Sequence, residues 1–120
     1  MITHSGEIGA YITKDGSRIR ELMHPQRHGN RLQSLAEATV VPGGKTQLHR
    51  HAQTEELYHI ISGHGVMTLG DERIAINVGD TVCISPGIAH AVENHGATDL
   101  VFLCCCSPPY SHHDTELLAP

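Results

Sequence analysis

Apolar and polar positions alternate in short runs along most of the chain, which is the pattern of half-buried β-strands. Glycine and proline turn signals separate the runs, as at Pro42-Gly43-Gly44, Gly63-His64-Gly65 and Gly79-Asp80. The pattern predicts strands at residues 35–41, 46–51, 57–62, 66–69, 73–77, 81–84, 90–94 and 100–106. Many short strands with regular turns are typical of an all-β sandwich or barrel.

One hairpin is predicted in more detail. Gly70-Asp71 lies between the runs 66–69 and 73–77, and Ile74 and Ile76 share one face of the second run. We expect that face to be buried.

The two ends of the chain are less regular. Residues 18–23 fit either a short helix capped by Ser17 or an arm strand, and both alternatives stay open. The tail from Pro108 onward has few apolar side chains to bury. The sequence therefore predicts one domain over residues 1–120, with a barrel at about 34–106 flanked by an N-terminal arm and a C-terminal tail.

Size and charge exclude several classes of function. A chain of 120 residues has room for one core. Thirteen acidic against eight basic side chains give a charge of -5, which argues against nucleic acid as a partner. No apolar run is long enough to cross a bilayer, and the first residues do not resemble a secretory signal. We expect no membrane partner and a cytoplasmic location, with Cys83 and the consecutive Cys104, Cys105 and Cys106 reduced.

Eleven histidines are the most unusual feature of the composition. His49 and His51 share one face of a predicted strand, and Glu56 or its neighbour Glu55 begins the next run. His90 opens a later run, and a closed barrel would bring it opposite the others. Three imidazoles and a carboxylate would hold a divalent metal ion, whereas the alternative for an H-x-H pair is an ordinary polar strand face.

At these residues the sequence resembles the cupin superfamily. Its first motif, G-x5-H-x-H-x4-E-x6-G, matches Gly43, His49, His51, Glu56 and Gly63, and this spacing selects Glu56 over Glu55. Its second motif, G-x5-P-x-G-x2-H-x3-N, matches Gly79, Gly87, His90 and Asn94, with Ser85 in place of the proline. The resemblance covers about residues 35–106 and is that of a small single-domain bacterial cupin.

The resemblance implies a double-stranded β-helix, or jelly-roll barrel, that often forms homodimers. It implies one divalent metal ion held by His49, His51, Glu56 and His90, with iron or manganese favoured and nickel, copper or zinc as alternatives. The expected function is that of a metal-dependent, dioxygenase-like oxidoreductase acting on a small polar molecule that chelates the metal. The alternatives are an isomerase or lyase that uses the metal as a Lewis acid, and a non-catalytic protein that binds metal or a small ligand.

Strand parity adds four candidates for contact with the ligand or with the metal-binding side chains. Gln47 shares the predicted face of His49 and His51, and Tyr58 shares that of Glu56. Phe102 and Cys104 share one face of the last long run. For Tyr58, Phe102 and Cys104 the alternative role is core packing.

Overall fold

The computed structural model describes residues 1–119 and consists almost entirely of β-strands. A short 3-10 turn at Ser5–Glu7 precedes eleven strands. The strands are β1 (Tyr11–Ile12), β2 (Arg18–Met23), β3 (Ser34–Val40), β4 (His49–His51), β5 (Glu55–Ser62), β6 (His64–Leu69), β7 (Glu72–Asn77), β8 (Thr81–Ile84), β9 (His90–Glu93), β10 (Leu100–Ser107) and β11 (Thr115–Leu117).

The strands form two antiparallel sheets. One has the order β1-β2-β3-β10-β5-β8 and the other the order β11-β4-β9-β6-β7. Sequence neighbours such as β3 and β4 or β4 and β5 lie in different sheets, so the chain passes repeatedly from one sheet to the other. This is the jelly-roll architecture of a double-stranded β-helix, and the predicted fold class is confirmed.

Period-two burial explains why these residues form these strands. Along β3 and β10 every second side chain is buried, while the intervening ones are partly or fully exposed. The inward side chains Ile60, Met67, Ile76, Leu100 and Phe102 are at most 1% exposed and form the centre of the core. Each side chain of this size contributes about 1.5–3 kcal/mol when it is fully buried.

The predicted hairpin is present as β6 and β7, which pair from His64↔Asn77 to Leu69↔Glu72 around Gly70. Ile76 is buried and Ile74 partly buried, whereas Arg73 and Ala75 are exposed, as the alternation predicted. Residues 18–23 form strand β2, so the arm-strand alternative is the one observed and the short helix is not.

The C-terminal tail contains the last strand, β11. Although it has few apolar side chains, it adds β11 to the edge of the second sheet, where Thr115 pairs with His51 and Leu117 with His49. Backbone hydrogen bonding therefore fixes this segment beside β4. Among residues 1–119 the structure contains no helix that could span a membrane.

Candidate metal centre

Three buried histidines meet on the inner surface of the second sheet. His49 and His51 point inward from β4 on either side of the exposed Arg50, and His90 begins the neighbouring strand β9 opposite His49. The ring centroids of His49 and His90 are 4.1 Å apart, and those of His51 and His90 are 5.4 Å apart. One ring nitrogen from each histidine lies within 4.8 Å of the others, a spacing that one metal ion can bridge.

The outer nitrogen of each ring is held by the protein. The Nδ1 atoms of His49 and His90 are 2.7 and 2.9 Å from the carbonyl oxygens of Gln47 and Ile88. A carbonyl only accepts hydrogen bonds, so both Nδ1 atoms donate and carry the proton. Each Nε2 then keeps a free lone pair, the tautomer that a metal-binding histidine needs.

His51 has the same arrangement through a hydroxyl group. Its Nδ1 lies 3.0 Å from Thr115 Oγ1, and that hydroxyl donates its proton to the carbonyl oxygen of Ser111 at 2.8 Å. The threonine oxygen is therefore left to accept from Nδ1 of His51. All three Nε2 lone pairs are consequently available on the inner side.

Glu56 supplies a carboxylate at the same point. Its Oε1 atom is 3.1 Å from Nε2 of His51 and 3.4 Å from Nε2 of His90, and its Oε2 accepts a hydrogen bond from the Cys106 thiol. Burial by itself raises the pKa of Glu56, but the His51 and His90 rings, which donate to the carboxylate whenever Nε2 is protonated, outweigh it and hold the pKa at about 2. Glu56 is therefore ionised at neutral pH.

A cation fits this set of groups. The Nε2 atom of His90 is completely buried and has no hydrogen-bond partner, which is rare for a polar atom in a folded protein. Burial, together with the neighbouring His90, lowers the pKa of His49 and favours its neutral, ligating form. Three nitrogen lone pairs and a carboxylate facing one another repel in the absence of a positive charge, and a divalent ion would satisfy all of them.

Asp15 is a member of the site that the sequence did not reveal. It lies in the turn between β1 and β2, and its Oδ2 is 3.4 Å from Nε2 of His49. Its Oδ1 accepts hydrogen bonds from the backbone and the hydroxyl of Ser17, which fix the carboxyl group. The arm carries no spacing signal for this role, because the contact depends on how the arm packs across the barrel.

Gln47 does not line the site as strand parity predicted. Residues 46–48 lie outside β4, and the Gln47 backbone donates to the carbonyl oxygen of Asp15 while its own carbonyl accepts from His49. These bonds turn the side chain to the solvent, where it is exposed. Gln47 therefore orients His49 through its backbone only.

The other three candidates line the cavity next to the histidines. Tyr58 and Phe102 pack with ring centroids 4.6 Å apart, and the Tyr58 ring lies 5.9 Å from that of His90. Burial raises the pKa of the Cys104 thiol, which remains protonated at neutral pH. The four cysteines are unpaired in the structure.

The cavity opens to solvent at its mouth. Both ends of the chain contribute to its walls, with Tyr11, Thr13, Asp15 and Glu21 from the arm and Tyr110 from the tail. The side chains that line it are Tyr11, Thr13, Asp15, Ser17, Ile19, Glu21, Ser34, Ala36, Ala38, His49, His51, Glu56, Tyr58, Phe102, Cys104, Cys106 and Tyr110.

Comparison with known proteins assigns the chain to a family. The family model described as "Cupin domain" matches residues 36–106, more than half of the chain. The chain belongs to the cupin family. The resemblance inferred from the two motifs is thereby confirmed.

Several relatives are similar over most of this cupin. It is 52% identical over 116 residues to an uncharacterized protein of Methanocaldococcus jannaschii, an alignment that covers 97% of this chain and 93% of that protein. It is 34% identical over 84 residues to an oxalate-binding protein of Thermotoga maritima, covering 70% of this chain and 65% of that protein. The crystal structure of a predicted oxalate decarboxylase from Thermotoga maritima superposes with a TM-score of 0.79 at 27% identity, covering 90% of this chain and 99% of the other.

Proposed function

We propose that this cupin is a metal-dependent enzyme that acts on a small molecule able to chelate the metal through oxygen atoms. The observation that carries the proposal is the orientation of the three histidines. Each Nδ1 is occupied by a protein acceptor, while the Nε2 lone pairs face one another and the Glu56 carboxylate. His49, His51, His90 and Glu56 would hold one divalent ion.

A metal ion bound there supplies Lewis-acid chemistry or, if it is redox-active, oxygen chemistry. Family resemblance favours iron or manganese, and the mixed nitrogen and oxygen donors also suit nickel, copper or zinc. The protein contributes the surroundings. Tyr58, Phe102 and Cys104 form a buried wall of the cavity, and the Asp15 carboxyl group can accept a hydrogen bond or a proton from a molecule at the centre.

Two reaction types are in competition. A dioxygenase-like reaction is supported by the family resemblance and by a set of four protein ligands, which leaves positions open on a five- or six-coordinate metal. An isomerase or lyase reaction is supported by Asp15, because a carboxylate beside the proposed metal ligands can accept and return the proton that such a reaction moves.

The similarity to an oxalate-binding protein supports a third function, the binding of a small ligand without turnover. One experiment distinguishes the three candidate functions. The protein is purified without a histidine tag, its metal content is measured, and oxalate and a panel of 2-hydroxy acids are incubated with the metal-loaded protein in air and under nitrogen.

A dioxygenase would lose all turnover under nitrogen, whereas an isomerase or lyase would keep it and would lose it on Asp15→Asn. Tight binding without consumption in either atmosphere would identify a binding protein. Failure of the wild-type protein to bind any of the five metals would overturn the proposal.

We also infer that the protein is a homodimer, as the family resemblance implies. On the outer face of the six-stranded sheet, Leu35, Leu57 and Ile61 are at least 36% exposed. Sedimentation equilibrium should give twice the mass of 13.0 kDa, and Leu57→Glu should give the monomer.

A further inference from the structure

Glu21 is a buried carboxyl group that the metal centre does not use. In β2 the inward positions are occupied by Ile19 and Glu21, so a charged residue stands where the strand pattern would place an apolar one. Its side chain is only 4% exposed. The Oε1 atom accepts a hydrogen bond of 2.8 Å from the Tyr11 hydroxyl, while Oε2 is buried without a partner.

No cation balances this carboxyl group within residues 1–119, since no lysine, arginine or histidine nitrogen lies within 4.0 Å of it. The Arg27 guanidinium lies over the ring of Tyr11, 5.4 Å from its centroid, and so holds the phenol that orients Oε1. A buried acceptor left without a donor is costly for a folded protein. Such an atom facing a cavity points to a ligand that supplies the donor.

A continuous space connects Glu21 with the metal centre, because both line the same cavity. In the sheet order, β2 and the Glu56 strand β5 are separated by β3 and β10. Three strand spacings correspond to about 14 Å along the sheet. Between them, Glu21 pairs with Ala36 and Ala36 with Cys104, two small side chains that leave room above the sheet.

The charges in the cavity differ between its two ends. Asp15 and Glu56 lie at the histidines, where a divalent ion would balance them, whereas Glu21 lies apart. No lysine or arginine is among the described side chains that line the cavity. A second negative group on a ligand would therefore meet repulsion near Glu21.

We propose that Glu21 binds a hydrogen-bond-donating end of the ligand, so that the cavity selects an elongated molecule with an oxygen chelate at one end and an ammonium or hydroxyl group at the other. This inference rests on the proposed function, since the chelating end needs the metal. Oxalate does not fit the description, because it is too short to reach from the centre to Glu21 and has no donor.

The test compares matched probes on the metal-loaded protein by isothermal titration calorimetry. The probes are three series of 2-hydroxy acids with four to six carbons in the main chain, ending in a primary ammonium group, a hydroxyl group or a carboxylate, with oxalate as the short reference. The variant is Glu21→Gln, which keeps the shape and one acceptor oxygen. The control is Glu37→Gln, a glutamate on the outer face of β3 that pairs with Arg20.

The wild-type protein should bind the ammonium or hydroxyl series at least about tenfold more tightly than the carboxylate series of equal length. Glu21→Gln should bring this ratio close to one without changing the metal content, and Glu37→Gln should leave it unchanged. An unchanged ratio in Glu21→Gln, equal binding of the carboxylate series or oxalate by the wild type, or no binding of any probe would overturn the inference. Failure of the wild-type protein to take up metal would instead overturn the proposed function.

Discussion

At the scale of single residues, the candidate metal centre depends on groups that contact the histidines from outside. Thr115 is the clearest of these, because its hydroxyl accepts from His51 and donates to Ser111 at the same time. Thr115→Val keeps the shape but removes both bonds, and the His51 ring then loses its fixed tautomer. We expect metal affinity to fall by about 10–100-fold, measured by competition with a chromophoric chelator.

Thr115→Ser is the matched control, because it keeps the hydroxyl and should bind metal nearly as well as the wild type. Equal affinities for the valine and serine variants would show that β11 supports the site through its backbone alone.

Asp114 stabilises the turn between the segments that carry the proposed ligands His49, His51 and Glu56. Its carboxylate accepts from the backbone N–H groups of Gln53 and Thr54, which join β4 to β5. Burial by itself raises the pKa of Asp114, but these hydrogen bonds lower it by more. The folded-state pKa therefore lies below the ordinary value of 3.8. A depressed pKa stabilises the fold at a pH above the unfolded value, and this contribution is lost as the pH falls through the folded-state pKa.

Asp114→Asn should therefore lower the free energy of unfolding by about 1 kcal/mol at pH 7. This is less than the loss of a fully buried hydrogen bond to a charged group would cost, because Asp114 is partly exposed. The difference from wild type in urea unfolding should shrink at pH 3. A constant difference at both pH values would contradict the role of the charge.

At the scale of strands and turns, two glycines of the first motif have different reasons to be glycine. Gly43 and Gly63 both have positive φ, at +78° and +79°, which costs any other residue about 1 kcal/mol or more. A Cβ at Gly43 would meet nothing within 4 Å, whereas one at Gly63 would clash with the Asp99 carbonyl oxygen and approach Leu100 Cα to 3.0 Å. Of these two glycines, only Gly63 is needed for the close approach of two backbone segments.

Gly43→Ala should then destabilise the protein by about 1–2 kcal/mol and Gly63→Ala by about 2–4 kcal/mol, because overpacking adds to the strain. Urea unfolding of the two variants measures the difference. Equal losses would mean that the backbone around residues 99 and 100 yields to the extra methyl group.

How far the sequence predicted the structure depends on the range of the interactions. Period-two alternation is local, so it gave the hairpin around Gly70 and the inward direction of His49 and His51 within their own strand. The motif spacing added Glu56 and His90, which the structure brings to the same point. Asp15 and Glu21 were missed, because their positions depend on the arm packing across the barrel, and no local pattern records that contact.

At the scale of the whole molecule, the two chain ends close over one site. Thr13 of the arm and Tyr110 of the tail share a hydrogen bond of 3.0 Å, and Lys14 donates to the carbonyl oxygen of Thr115 at 2.8 Å. The arm supplies Asp15 and Glu21 to the cavity and the tail supplies Thr115 to His51. The arm and tail are therefore parts of the site, although the motif-bearing segment covers only residues 36–106.

Metal binding and stability are coupled in such a molecule, because the four proposed ligands come from three strands, β4, β5 and β9. An ion that binds only the folded state at about 100 times its dissociation constant stabilises that state by about 2.7 kcal/mol. For a domain of this size we expect a rise in Tm of about 10 °C, reversed by a chelator and measured by differential scanning calorimetry.

The increase in Tm on adding metal is the quantity to compare between variants. Each variant is compared with its own metal-free form, so the destabilisation caused by the substitution itself does not enter. His90→Ala and Glu56→Gln should both lose it. His95→Ala should keep it, since that side chain is 65% exposed and pairs only with Glu93. If His90→Ala gained as much from the metal as His95→Ala does, the ion would be bound elsewhere on this histidine-rich chain and the proposed centre would be wrong.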